Sequence, residues 1–233
     1  MIQKAVILAA GVGSRLGALT QALPKPLIPV GARSPLQRHL ENCASAGVTD
    51  VFINTHHLAE KVRSFVGDGS SFGLRSHFSF EPELLGTAGA LHPFREALGN
   101  DDFFVIYGDN LIECDLGKLG DDHAHSKALV TIAVHWREDV STSGMVVTDP
   151  DGTIMEFVEK PPLAQQVSHF VNAGIYAASP SILNAIPPGA SDFGKDIFPA
   201  LLRGQATLMS HTLASGVLPI DTPELLEIAR RQG

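Results

Sequence analysis

The sequence predicts a three-layer α/β domain, with a mixed, mostly parallel central sheet and helices on both faces. Three observations carry that prediction. Short apolar runs alternate with helix-period segments from residue 4 to about residue 110. Runs such as "KAVILAA" and "FFVIY" are continuously apolar, as strands covered on both faces are. After residue 110 the pattern changes to strands joined by tight turns such as "DPDGT". Strand–helix alternation builds right-handed βαβ units and a parallel sheet, whereas turn-linked strands read as antiparallel.

The elements follow in order. Lys4–Ala10 is a buried strand ending at glycine. Ser34–Gly47 is a helix, with Leu36, Leu40 and Cys43 at helical spacing between a serine start and a glycine stop. "DVFINTH" is a strand, "LAEKVRSFVGDG" a helix closed by a glycine turn, and "RSHFSF" an alternating strand. "TAGALHPFREAL" reads as a helix, and "DFFVIYGDN" as a buried strand with an acidic end. Then come four strands, "ALVTIAVHW", "SGMVVTD", "TIMEFVEK" and "HFVNAGIYAAS", and two helices, "SDFGKDIFPALLRG" and "TPELLEIARRQ". No internal repeat or linker interrupts them. The expectation is one domain over 1–233, with an alternating half to about 112 and a partly antiparallel half from about 113.

Composition narrows the function classes. A formal net charge of -8 over 233 residues argues against a basic nucleic-acid surface. Cys43 and Cys114 have no partner at zinc-site spacing and read as buried thiols. The adjacent His56 and His57, and the pair His123 and His125, lack the i,i+4 spacing of helical metal ligands. The N-terminal apolar run is too short for a signal peptide, and no run reaches the ~20 apolar residues of a membrane span. The expectation is a soluble, cytoplasmic protein.

Ligands of open α/β sheets sit beyond the carboxyl ends of the strands. Three segments lie there: Gly11–Lys25, Gly108–Asn110 and Glu159–Pro161. In the first, Gly11 and Gly13 free the backbone to wrap an anion. Arg15 offers a guanidinium fork, and Lys25 a point charge stiffened by Pro24 and Pro26. Together they describe a triphosphate cradle. It is not the dinucleotide fingerprint, because residue 16 is Leu16, and no Gly-Lys-Ser/Thr tripeptide of a P-loop occurs.

"LAAGVGSRLGALTQALPKPLIPV" resembles the signature of the sugar-1-phosphate nucleotidyltransferases, or NDP-sugar pyrophosphorylases. "EPELLGTAGAL", "YGDNL", "FVEKP", "VNAGIY" and "IDTPELL" follow in the family's order, so the resemblance covers nearly the whole chain. The bacterial mannose-1-phosphate guanylyltransferase-like members look nearest.

The resemblance implies a Rossmann-like fold, a nucleotide-binding half before about 112 and a sugar-phosphate half after it. It implies nucleotide contacts at Leu8, Ala10, Gly11, Gly13, Arg15, Lys25, Glu81, Gly86 and Thr87. It implies sugar-phosphate contacts at Asn110, Gly144, Glu159, Lys160, Asn172 and Gly174, and catalytic roles for Arg15, Lys25, Asp109 and Lys160. Asp109 and Asp221 are the implied Mg²⁺ ligands. Alone, Asp109 reads equally as a helix cap and "EKP" as a solvated turn. The implied partners are an NTP and a sugar 1-phosphate; the sequence leaves room for a homodimer.

By the resemblance, Glu81 falls at the family's base-reading position; alone, it reads equally as an exposed turn glutamate. A carboxylate presents two acceptors and no donor, which suits the N1–H and 2-amino group of guanine better than the single donor of uracil or thymine. GTP is therefore favoured, with UTP and dTTP left open. One departure from the pattern bears on the metal. The family's L-D-x-G-T-P is here "LPIDTP", which puts Pro219 at the aspartate position. Asp221, two residues on, supplies the carboxylate displaced by one pleat, or the second ligand is lost. The second outcome would make the chain a non-catalytic nucleotide-sugar-binding regulator. A third reading, a cytidylyltransferase acting on a non-sugar phosphate, sits badly with "FVEKP" and "VNAG".

Overall fold

The computed structural model describes residues 1–232, and Gly233 lies outside them. Strands β1 (Lys4–Leu8), β2 (Asp50–Thr55), β3 (Arg75–Phe80), β4 (Phe103–Tyr107), β5 (Val130–Trp136), β6 (Gly144–Thr148), β7 (Ile154–Glu159), β8 (Phe170–Ala178) and β9 (Leu208–Thr212) form one sheet. Seven of them follow the order β3-β2-β1-β4-β8-β5-β9. Along that path only β8 runs against its neighbours. The carboxyl ends of β1, β4 and β5 therefore open on one edge.

The turn-linked strands thus do not form a separate antiparallel half. β5, β8 and β9 continue the central sheet, because β8 is apolar enough to be buried between β4 and β5. Only the β6–β7 hairpin stands away from it. β6 joins β8 at Phe170 and Val171, beyond the last β4 pair at Ile175, and so hangs over the carboxyl end of β4.

Side-chain alternation along the strands feeds two cores. On β4, Phe104 and Ile106 face helices α2 (Pro35–Ser45), α3 (Ala59–Val66) and α6 (Leu116–Ser126). Phe103 and Val105 face the opposite layer, with Leu91, Phe94, Phe193 and Phe198. These two cores make the three layers that the buried strand runs imply.

Several elements differ from expectation. Thr87–Leu98 is not one helix. It breaks into α4 (Gly86–Gly89), a 3₁₀ turn at His92–Phe94 and α5 (Arg95–Leu98), because Pro93 lacks the N–H a helix interior needs. The 191–204 segment opens as a π turn, Phe193–Ile197, before α7 (Phe198–Arg203). Short helix α1 (Ala18–Ala22), α6 and β9 were not foreseen. α6 carries glycines and histidines in place of strong helix formers, and is started by Asp115, whose side chain accepts from Lys118 N at 3.0 Å.

Helix α8 (Pro223–Gln232) matters most for the site. Its Leu226 and Ala229 pack on Leu16, Ile28 and Val30, a cluster separate from the main cores. The last helix thereby clamps the first loop. Asp221 lies just before it, outside any strand, after an isolated bridge between Leu218 and Leu111. The one-pleat argument therefore does not apply; the position of Asp221 is set by α8 docking.

Candidate active site

Two cavities open along the shared edge, of about 280 Å³ and about 630 Å³. Thr87, Tyr107 and Asp192 line both and form the wall between them. Leu8, Ala10, Gly11, Glu81, Gly86 and Thr87, expected at a nucleotide, all line the smaller one. Asn110, Gly144, Glu159, Lys160, Asn172 and Gly174, expected at a sugar phosphate, all line the larger one.

Most of the opening stretch, residues 11–25, is exposed, but Lys25 is buried beneath it. Gly13 takes the left-handed conformation, φ 64°. A Cβ there would lie 3.1 Å from Lys25 Cβ, so the glycine lets the lysine stem pass beneath the loop. Gly11 keeps ordinary backbone and serves by lining the cavity. Lys25 is only 3% exposed. Its Nζ donates to Asp109 Oδ2 at 2.8 Å and to Asp221 Oδ1, while Arg15 Nη2 lies 3.5 Å from Asp221 Oδ2.

Asp109 and Asp221, 112 residues apart in sequence by subtraction (221 − 109), thus converge on one ammonium. This donor set fits Mg²⁺. The ion takes oxygen ligands, is typically held by one or two carboxylates, and completes its octahedron with water and substrate phosphate. Among the described residues no cluster of three or more His, Cys, Asp or Glu gathers as for an all-protein cage.

Glu81 is buried and locked. Its Oε1 accepts from Asn54 Nδ2 at 2.8 Å and its Oε2 from the Leu85 amide at 3.0 Å. Asn54 Oδ1 in turn accepts from the Ala9 amide at 2.8 Å, tying the carboxylate to the end of β1. Each oxygen keeps one lone pair beyond these bonds. Behind it, the Ala88 and Gly89 amides donate to the Ser191 carbonyl, and Thr87 Oγ1 donates to Asp192 Oδ1 at 3.2 Å.

In the larger cavity Glu159 sits in a slot between two glycines. A Cβ on Gly144 would lie 2.9 Å from Glu159 Oε2, and one on Gly194 would lie 2.6 Å from it. Burial raises the Glu159 pKa against the opposing pull of Lys160 and Lys195. Lys160 is left-handed at φ 51°, unusual for lysine, and its N–H donates to Ser143 O at 2.9 Å. Asn110 Oδ1 is buried with no partner among the described residues. The Asn110 carbonyl accepts from His39 Nε2 at 2.9 Å, and burial lowers the His39 pKa to about 4, keeping that ring neutral.

Asn172 lines the larger cavity and also braces its own strand. Its Oδ1 accepts from Gly174 N and its Nδ2 donates to the Tyr176 hydroxyl, both at 2.8 Å. These two bonds shape the β8 kink, where Gly174 has φ 79° and a Cβ would lie 2.9 Å from the Tyr107 ring, and they leave one donor and one lone pair of the amide. Tyr107 itself, with its pKa pushed up to about 12 by burial, was missed by sequence reasoning. So were Asp192, Lys195 and Arg137, which line the larger cavity. The first two were hidden inside a segment whose period read as helix.

Other titratable groups act as braces. His56 Nδ1 donates to Glu81 O at 2.7 Å and His57 Nε2 to Thr20 O at 2.6 Å. Cys43 and Cys114 are buried free thiols, with pKa values pushed up to about 12 by burial. Among the described residues no helix is long and apolar enough to cross a membrane.

Known proteins resemble this chain in sequence and fold. The chain is 37% identical over 213 residues to a UTP–glucose-1-phosphate uridylyltransferase of Synechocystis, covering 85% of this chain and 55% of that protein. It is 37% identical over 205 residues to a mannose-1-phosphate guanyltransferase of Schizosaccharomyces pombe, covering 86% and 56%. The chain spans just over half the length of these two relatives. A Bacillus anthracis structure with sucrose bound, provisionally assigned as a glucose-1-phosphate thymidylyltransferase, superposes with a TM-score of 0.89 at 25% identity over 98% of this chain and 94% of that one. The nucleotidyl transferase family model matches residues 4–215, and the chain belongs to that family.

Proposed function

We propose that this chain transfers a nucleotidyl group from an NTP, preferably GTP, to a sugar 1-phosphate, giving an NDP-sugar and pyrophosphate. One observation carries the reading: two cavities share a wall, and a cluster of Lys25, Asp109, Asp221 and Arg15 stands where they meet. The smaller cavity suits a base and the larger a phosphorylated sugar.

In the reaction an anionic oxygen of the sugar phosphate attacks the α-phosphorus. A new P–O bond forms, the bond to the β-phosphate oxygen breaks, and pyrophosphate carries away the electron pair. No covalent enzyme intermediate is required. Catalysis then rests on positioning and charge neutralisation. Arg15 and Lys25 bind the triphosphate and steady the leaving pyrophosphate. Lys160 orients the attacking phosphate. Glu159 and the unpartnered Asn110 Oδ1 accept from sugar hydroxyls. Asp109 and Asp221 would hold Mg²⁺, which when bound neutralises phosphate charge.

The free lone pairs of Glu81 support guanine, and the 37% identity to a mannose-1-phosphate guanyltransferase points the same way. The equal identity to a uridylyltransferase makes the base the first thing to measure. Purified protein mixed with each NTP and each of several hexose 1-phosphates is expected to form NDP-sugar fastest with GTP. Binding of nucleotide without product in any mixture would instead support a regulator.

A further inference from the structure

We propose that Arg137 is a second cation for the phosphate of the sugar 1-phosphate, acting beside Lys160. The inference rests on the function proposed above. β5 runs parallel to β1 and β4, and Arg137 is the first residue past its carboxyl end, on the edge where Gly11 and Asp109 follow their own strands. Its amide donates to His169 O at 2.9 Å, which fixes the backbone. Its Nη1 donates to Ser143 Oγ at 3.0 Å, and the guanidinium lines the larger cavity. Ser143 also holds the other cation, since its carbonyl accepts from the Lys160 amide at 2.9 Å. One residue therefore ties the Arg137 side chain and the Lys160 backbone to the same rim.

That rim lies where a sugar's anomeric phosphate belongs. Gly144, next to Ser143, is one wall of the slot that holds Glu159, so the sugar pit begins immediately beyond. On the other side, His135, two residues before Arg137, lines the same cavity. His135 approaches the segment that delivers Asp221: a Cβ on Gly216 would lie 3.7 Å from its Nδ1. Burial, and secondarily the Arg137 charge, lower the His135 pKa, so the positive charge of this edge at neutral pH is that of Arg137.

The guanidinium is also unspent. The ion pairs made by arginines among the described residues are those of Arg15, Arg33, Arg63, Arg75 and Arg231. Arg137 lines the larger cavity, and its one side-chain hydrogen bond among the described residues, to Ser143, leaves four of its five N–H donors without a protein partner there. Such a fork suits a phosphate dianion.

The test compares wild type, Arg137→Gln and Arg137→Lys, with the best-used NTP saturating and glucose 1-phosphate and mannose 1-phosphate varied. Arg137→Gln is expected to lower kcat/KM for the sugar 1-phosphate roughly ten- to a hundredfold. The KM for NTP and the Tm should not move. Arg137→Lys should recover part of the loss, and added guanidinium should restore part of the activity of Arg137→Ala, which a merely structural role would not allow. Unchanged kcat/KM in Arg137→Gln, with an active wild type, would overturn the role of Arg137 alone. A loss confined to a sugar acid such as glucuronic acid 1-phosphate would overturn it too, because the arginine would then be reading a substituent. A wild type that turns over no pair would overturn the underlying reading of the site.

Discussion

Lys25 shows how the surroundings of a candidate residue escape a local reading. Its proline bracket pointed to a stiffened point charge, and the structure buries that charge on Asp109 and Asp221. Nothing local in "LPKPL" encodes two aspartates contributed by β4 and the approach to α8. Lys25→Met leaves those carboxylates facing each other with only the exposed Arg15, 3.5 Å from Asp221, as counter-charge. The expected cost is about 1–3 kcal/mol, below that of a pair in a dry interior because both aspartates are partly open to water. That corresponds to a Tm lower by several degrees, together with a ten- to hundredfold fall in kcat/KM for NTP. Mg²⁺ should raise the Tm of the variant more than that of wild type. Wild-type Tm and kinetics in Lys25→Met would disprove the bridging role.

Glu159 gives a prediction with a pH sign. Burial raises its pKa, so the folded chain keeps the proton where the unfolded chain has lost it. Stability from this group is therefore present at low pH and lost as pH rises through the raised value. Above it, the charged carboxylate destabilises the fold, a cost that the proposed sugar contact would explain. Glu159→Gln should have a Tm equal to or above wild type at pH 8, with the gap closing toward acid pH, while kcat/KM for the sugar 1-phosphate falls. A Tm well below wild type at pH 8 would mean that the carboxylate is structural. The bracing role of Asn172 was not legible, because its partners Gly174 and Tyr176 become visible only once β8 kinks.

At the scale of elements, buried strands were legible because continuous apolar runs leave few alternatives. Irregular helices were not. Pro93 breaks one, and the polar half of "LMSHT" concealed β9, whose Leu208 and His211 are buried while Thr212 is exposed. The kink of β8 can be tested directly. Gly174→Ala must hold alanine at φ 79° with Cβ 2.9 Å from the Tyr107 ring. A left-handed non-glycine residue costs about 1–3 kcal/mol, before any shift of the ring is counted. The urea midpoint should fall accordingly, and the KM for the sugar 1-phosphate should rise. An unchanged midpoint would show that the kink relaxes without strain.

At the scale of the whole molecule, the three layers and the edge that carries the site followed from strand–helix alternation. The strand order did not, because the insertion of β8 between β4 and β5 is a long-range pairing with no local signal. The same holds for Asp221, which lies beyond the matched family region of 4–215 and reaches Lys25 because Leu226 and Ala229 dock on the first loop. Both ends of the chain therefore complete one site. The most direct measurement is pyrophosphate release by wild type and Asp109→Asn, across the NTPs and hexose 1-phosphates, with Tm recorded for each protein. The account predicts one pyrophosphate per NDP-sugar formed in wild type, release that requires both substrates, and almost none from a folded Asp109→Asn. Wild-type rates in that variant, or pyrophosphate released from NTP without a sugar phosphate, would contradict it.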